Sequence, residues 1–396
     1  MNLPLLSSAW FRLLPHLVTG LFFGHIRLRG EGRVPASGPV LLIGRHRNGV
    51  ADGYVYAAGL PRQATFMIAA RLRRRPLVRL LVTGIDVVRD KDAGDRSINQ
   101  HAITTCVERL AAGDAVFIFP EGTSTLGARH LPFKTGAARV AAEFLALYGA
   151  LTVVPLAIDY DAPAVLGGNA EITVGAPLRL RGTLGVDQIH ERFAAALETT
   201  GREFRDDAQQ CTAEALAGLA ADAGHSYAAA LDGLASELPQ ELRERLATLD
   251  CTAGALGVLS FQGRPVFARR DALPRALIGA AGLLVAAPGI LANLPPLAAG
   301  SFAARRKAGG ANEVMAWRIL AGLPLGIAWA GVVIAGTLAA LPPVIAATYL
   351  ALTALAARLH GPARRAFASG MNALLRPRLA PLYAGAQDAV LRHLGR

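Results

Sequence analysis

Apolar residues follow three different rules along this chain. In the first stretch, Leu6, Trp10, Leu14, Leu17 and Leu21 recur at steps of three and four, with Ser8, Arg12, His16 and Thr19 between them. That spacing predicts an amphipathic helix with its exit over residues 1–29. Trp10, Phe11, Phe22 and Phe23 suit a bilayer interface, and packing of the same face on a folded domain is the other reading. Over residues 30–182 the rule changes to short apolar runs separated by helical segments. Pro39–Ile43, Ala64–Ile68, Ala115–Phe119 and Leu151–Pro155 read as buried strands. Ser97–Gly113 and Thr135–Leu147 read as helices, the former with a serine start and a glycine stop. The alternation predicts an α/β domain whose sheet is mostly parallel and flanked by helices.

Residues 183–270 return to helical spacing in Ala, Leu, Glu and Arg and form a helical extension. Residues 271–396 form a hydrophobic C-terminal region. Ala276–Ala304 has no charged residue over 29 positions, and Ile319–Ala357 none over 39. About 20 apolar residues span a bilayer, so both runs qualify as transmembrane helices. A buried helical hairpin is the alternative, and Pro342-Pro343 marks a break in the second run. Basic residues flank both runs on both sides, so charge does not orient them.

Composition adds little until its distribution is considered. The 396 residues carry a net charge of +12 and a mean hydropathy of +0.36. Lys91, Lys134 and Lys307 are the three lysines, and arginine supplies the rest of the positive charge. Such a balance fits an anionic membrane surface or a phosphorylated substrate. The basic residues are dispersed and accompany no nucleic-acid-binding motif, which argues against a nucleic-acid partner. Cys106, Cys211 and Cys251 form neither a CxxC nor a metal-ligand pattern, so no metal and no disulfide framework is expected.

Chemistry concentrates in the strand-and-helix region. His46 and Asp52 lie six positions apart in Gly44-Arg-His-Arg-Asn-Gly-Val-Ala-Asp52. Histidine takes a proton from an alcohol near neutral pH, and a carboxylate on its second nitrogen fixes the tautomer. Six residues of continuous helix rotate about 240°, so the two meet only if His46 sits in a loop ahead of a helix bearing Asp52. Gly49 permits that turn. Further on, Gly84-Ile-Asp-Val-Val-Arg89 ends an apolar stretch in an arginine. Phe119-Pro-Glu-Gly-Thr-Ser124 places Glu121, Gly122, Thr123 and Ser124 at a strand end, with Lys134 opening the next helix. Glycine, hydroxyls, backbone N–H groups and a lysine at such a place suit a phosphate.

In order, His-x5-Asp, Gly-x4-Arg, Phe-Pro-Glu-Gly-Thr-Ser and Val153-Val-Pro-Leu156 resemble the four motifs of the glycerolipid acyltransferase family, which includes glycerol-3-phosphate and lysophosphatidate acyltransferases. Residues 15–182 carry the resemblance, and Asp52–Tyr54, Phe133–Ala138 and Gly175–Leu178 are also similar to family stretches. Two positions depart: Arg45 stands where asparagine is usual, and Ser124 where many lysophosphatidate enzymes have arginine. The resemblance implies that residues 30–182 are an acyltransferase core. His46 would then be the general base, Asp52 its orienting carboxylate, and Arg89, Glu121, Gly122, Thr123, Ser124 and Lys134 the substrate contacts. It implies acyl-CoA or acyl carrier protein as thioester co-substrate and no resident cofactor. The acceptor would be a phosphorylated glycerol or lysophospholipid, the partners membrane lipids, and the location an integral membrane protein with its catalytic domain toward the cytoplasm. A membrane protein that binds or moves lipids with a catalytically degenerate domain is the competing expectation.

Overall fold

The computed structural model describes residues 4–74, 76–88, 97–235, 238–261 and 263–395. It opens with α1 (Pro4–Phe22), β1 (Phe23–Arg29), β2 (Val40–Gly44), α2 (Val50–Gly59), β3 (Ala64–Ala69), α3 (Ala70–Arg73) and α4 (Pro76–Arg79). The domain continues through β4 (Ile85–Val87), α5 (Ser97–Ala111), β5 (Ala115–Ile118), α6 (Gly136–Tyr148), β6 (Ala150–Tyr160), β7 (Gly168–Val174), β8 (Leu178–Arg181) and α7 (Val186–Thr200). The eight strands form one sheet in the order β1-β7-β6-β2-β5-β3-β4, with β8 also on β6. Strands β7 and β8 run antiparallel to β6, and every other pairing is parallel. This is the mostly parallel, helix-flanked sheet that the alternation of apolar runs predicts.

The sheet is buried on both faces, which is why β2 reads as an unbroken apolar run. Val40 and Leu42 face a core shared with α1 and α2, including Leu14, Val18, Val55 and Tyr56. Leu41 and Ile43 face the opposite core, with Val107 and Leu110 of α5, Phe144 of α6 and Phe193 of α7.

The N-terminal helix is shorter than residues 1–29. It stops at Phe22, and Phe23–Arg29 is a strand whose Ile26, Arg27 and Leu28 register with Ala170, Glu171 and Ile172 of β7. The alternation of Ile26 and Leu28 with exposed His25 and Arg27 has the two-residue period of a strand. The acyltransferase-like sheet therefore begins before residue 30. Helix α1 packs on the domain through Leu14 and Val18 while leaving Leu13 and Leu17 exposed. It passes through Pro15, whose carbonyl accepts a hydrogen bond from Thr19 Oγ1 at 2.8 Å.

Residues 207–256 form α8 (Asp207–Asp222), α9 (Tyr227–Leu234) and α10 (Gln240–Leu256), followed by a small hairpin of β9 (Ser260–Phe261) and β10 (Arg264–Pro265). Then come α11 (Ala272–Ala292), α12 (Leu294–Lys307), α13 (Ala311–Trp317), a π-helical turn (Arg318–Gly322), α14 (Leu323–Ala340), α15 (Pro343–Leu375) and α16 (Leu379–His393). Among the described residues, three helical stretches are long and apolar enough to cross a membrane: Ala272–Ala292, Ala311–Ala340 and Pro343–Leu375. Two uncharged runs thus become three candidate spans. The first run breaks at Asn293, whose amide donates to Gly289 O and Thr353 Oγ1, each at 2.9 Å. The second breaks at Leu341, just ahead of the two prolines.

Helices α11 and α15 pack backbone to backbone. A Cβ on Gly279 would lie 2.2 Å from Phe367 N, and one on Gly289 would lie 2.2 Å from Leu352 O. Small residues at such crossings are the usual means of close approach between membrane helices. Helix α16 behaves differently. Its Tyr383 and Val390 are buried with Leu216, Leu231 and Leu249 of α8–α10, so the last residues belong to the helical extension. Sequence pattern hid this return, because it joins segments more than a hundred residues apart.

Candidate active site

Strands β2 and β5 are parallel neighbours with Ile43 opposite Ile118, so the loops that follow them leave the sheet side by side. This is the carboxyl edge of a parallel sheet, the usual place for ligands in such folds. The first loop carries His46 and the second carries Glu121–Ser124. Thr125 N donates to His46 O at 3.0 Å and fastens one loop to the other.

The loop after β2 turns through Gly49 at φ 54° and enters α2, placing Asp52 in the first helical turn. His46 Nδ1 lies 2.7 Å from Asp52 Oδ2. That oxygen also accepts the backbone N–H groups of Arg47 at 2.6 Å and Asn48 at 2.8 Å, while Oδ1 accepts Tyr160 Oη–H at 2.6 Å. Asp52 is fully buried and surrounded by donors, so Nδ1 carries the imidazole proton and Nε2 is the nitrogen left for the cleft. Burial holds the Tyr160 hydroxyl far above its ordinary pKa, which keeps it a donor. The His46 ring stacks on Phe119, centroids 4.2 Å apart and planes 20° from parallel. The bond to Asp52 and the stack together fix both the tilt and the tautomer of the imidazole.

Glu121 faces inward, 2% exposed. Its Oε1 accepts His46 N–H and its Oε2 accepts Leu131 N–H, both at 3.2 Å. Burial alone would raise its pKa. The two N–H groups, His130 at 3.8 Å and the Arg45 charge outweigh that and hold the carboxyl below its usual range. An inward-facing anion with both oxygens on backbone donors is a clasp for the loops. Gly122, at φ 66°, closes the Phe119–Gly122 turn with its N–H on Phe119 O. Gly122, Thr123 and Lys134 all line the cleft, and Lys134 N donates to Pro120 O at 2.7 Å. Ser124 is held from the C-terminal region: the Asn312 amide donates to its carbonyl at 3.0 Å and to its hydroxyl at 2.9 Å. Arg89 lies outside the described residues. The chain leading to it is held by Asn99, whose side chain bonds both Val88 N and Val88 O.

Arg45 sits beneath the loop, 3% exposed, donating to Arg202 O at 2.8 Å. Burial and the neighbouring Arg47 lower its pKa to about 10. Below it, Asp159 pairs with Arg202, which also binds Asp232. Burial would raise the Asp159 carboxyl, but Arg202 leads the groups that bring it below its usual range. The departure at position 45 thus points away from the cleft and leaves the His46–Asp52 contact intact. Cys106 is buried in α5, and burial pushes its thiol up to about 12, which removes it as a nucleophile.

The cleft in front of His46 measures ≈ 1490 Å³. On the α1/α2 side its lining is apolar, with Phe11, Leu14, Tyr54, Phe66, Leu81 and Val82. On the α3, α5 and α6 side it is basic, with Arg71, Arg73, Arg109, Lys134 and Arg139. Sequence reasoning missed four of these arginines and Tyr160. The cluster Arg71–Arg74 directly after a strand is a signal that was available for two of them. Tyr160 reaches Asp52 across 108 residues and leaves no local signal. Among the described residues there is no cluster of three or more His, Cys, Asp or Glu side chains able to hold a metal ion.

Residues 25–159 match the family described as Acyltransferase. Among curated proteins, the lyso-ornithine lipid O-acyltransferase of Brucella abortus (strain 2308) is 32% identical over 165 residues, covering 39% of this chain and 58% of that protein. The chain therefore spans less than two thirds of the length of that relative. Among solved structures, the 1-acyl-sn-glycerophosphate (LPA) acyltransferase PlsC of Thermotoga maritima is similar at a TM-score of 0.35 and 17% identity, covering 49% of this chain and 79% of its own. The ordered motifs, the paired loops and the family match fall on the same residues, so residues 25–159 form a domain of the Acyltransferase family.

Proposed function

We propose that this protein transfers a fatty acyl group from a thioester, acyl-CoA or acyl carrier protein, to a hydroxyl of glycerol-3-phosphate or of a lysolipid such as lysophosphatidate, in membrane lipid synthesis. One observation carries the reading. A histidine locked by a buried carboxylate faces a cleft that is apolar on one side and arginine- and lysine-rich on the other.

His46 Nε2 takes the proton of the acceptor hydroxyl as its oxygen attacks the thioester carbonyl carbon. Asp52 stabilises the imidazolium that forms. The tetrahedral centre collapses with cleavage of the C–S bond, and the imidazolium returns the proton to the departing thiolate. The products are an ester and a free thiol, with no acyl-enzyme. Positioning and general-base assistance supply most of the rate, the base contributing about 10²–10⁴-fold. Gly122, Thr123 and Lys134, with Arg89 and the cleft arginines, hold the anionic head group. The apolar wall holds the chain. The protein is integral to the membrane through its C-terminal helices, with the catalytic domain toward the cytoplasm.

The degenerate-domain alternative draws its support from Arg45. That side chain lies under the loop, and the two hydrogen-bonding atoms of the dyad remain 2.7 Å apart. Purified protein given palmitoyl-CoA and, separately, glycerol-3-phosphate, lysophosphatidate and a lyso-ornithine lipid should release thiol and form one acylated product detectable by mass spectrometry. His46→Ala should abolish the release. Near-normal turnover in that variant would remove the proposed base.

A further inference from the structure

Helix α13 lies outside the family-matched segment, yet it packs on the catalytic loop. Its approach is close enough that a Cβ at Gly49 would stand 3.3 Å from Asn312 O and 3.4 Å from the Ala316 Cβ. Asn312 grips Ser124 through both carbonyl and hydroxyl, and the next residue's N–H holds His46 O. One turn on, Met315 and Ile319 are fully buried in the core beneath α1 and α2. On the neighbouring face, Ala316, Trp317 and Leu320 line the cleft alongside Phe11 and Leu14. The segment is the start of the candidate span Ala311–Ala340. A membrane anchor has no need of a buried seam on the catalytic domain, nor of side chains in the substrate cleft.

We infer that the face of α13 and the following π-helical turn that bears Trp317 and Leu320 is a wall of the acyl-chain site and selects chain length, so that the membrane region is part of the active centre. This inference rests on the acyl-transfer reading above. Asn312 is the positioning residue that keeps the wall in register with the loop after β5. A saturated chain lying against this wall meets two large side chains whose size is adjustable without touching His46 or Asp52.

The full-length protein tests it in two ways. In competition between myristoyl-CoA and stearoyl-CoA, Trp317→Ala should shift the kcat/KM ratio toward stearoyl and Leu320→Phe toward myristoyl, each on the order of tenfold. Independently, a palmitoyl-CoA analogue with a terminal diazirine should label residues 311–323 in the unmutated protein and in His46→Ala. Excess palmitoyl-CoA should suppress that label while leaving untouched any label at Val332, which is exposed on α14. Labelling confined to residues 1–270, or ratios unmoved in both folded variants, overturns the wall. If the unmutated protein releases no thiol while competed labelling of 311–323 persists, the wall stands and the transfer reading falls. If the variants fail to fold, the labelling decides.

Discussion

Replacing Glu121 with glutamine separates two roles for this carboxylate, substrate contact and loop clasp. The substitution keeps the shape and removes the charge. In the native protein each carboxylate oxygen accepts one backbone N–H at 3.2 Å, from His46 and from Leu131. An amide has a single oxygen, so in either orientation its NH₂ group confronts one of those donors. A lost hydrogen bond to a charged group is worth about 1.5–3 kcal/mol, and the orphaned buried N–H raises the total to about 2–4 kcal/mol. At 2% exposure, solvent relieves little of this. We expect a fall of several degrees in the Tm of the detergent-solubilised protein, followed by tryptophan fluorescence. The kcat should fall because the His46 backbone is released, and KM for the acceptor should stay nearly constant. The pH dependence has a defined sign. The folded carboxyl lies below its unfolded value, so its stabilisation is full above about pH 4.3 and is lost as pH falls through the folded value. The Tm gap between native protein and variant should therefore persist at pH 7 and narrow once the pH falls below the ordinary glutamate range. An unchanged Tm with a raised acceptor KM would refute the clasp and make Glu121 a substrate ligand.

Asp52→Asn should fold and lose about 10²–10⁴-fold in kcat, measured by thiol release, because a neutral amide stabilises the imidazolium poorly. Lys134→Ala should raise KM for a phosphorylated acceptor by about 10- to 100-fold, equivalent to a charge-assisted contact of about 1.5–3 kcal/mol, and leave a phosphate-free acceptor nearly unaffected. Deleting residues 1–22 should leave the chain in the membrane pellet after carbonate extraction, since the three long apolar helices remain.

The sheet was legible because both faces of β2, β5 and β6 are covered, which makes apolar runs that stand out from their surroundings. The His46–Asp52 pair was legible because a glycine, a loop and a helix start lie within seven residues. What escaped was non-local. The strand β1 depends on β7 for its partner, and its seven residues follow a helix without a break. The clasp role of Glu121 depends on Leu131 and on the backbone of His46, neither of which its own motif reveals. Asn312 bonds Ser124 across 188 residues, and α16 rejoins α8–α10 after the apolar helices. Side chains that act through such distant contacts carry no periodicity of their own.

The length of α15 has a further consequence. Its 33 residues make a rod of about 50 Å, well beyond the roughly 30 Å of a bilayer's hydrocarbon. The apolar part ends at Ala357, where Arg358, Arg364 and Arg365 begin. Past that point Arg365 pairs with Asp222 at 2.7 Å, and the Asn372 amide donates to Leu259 O and Val266 O. A single helix, with Pro362 inside it, thus joins a stretch apolar enough to cross a membrane with the helical extension. Lengthening or shortening that helix by one turn would change the separation of its two ends by about 5 Å.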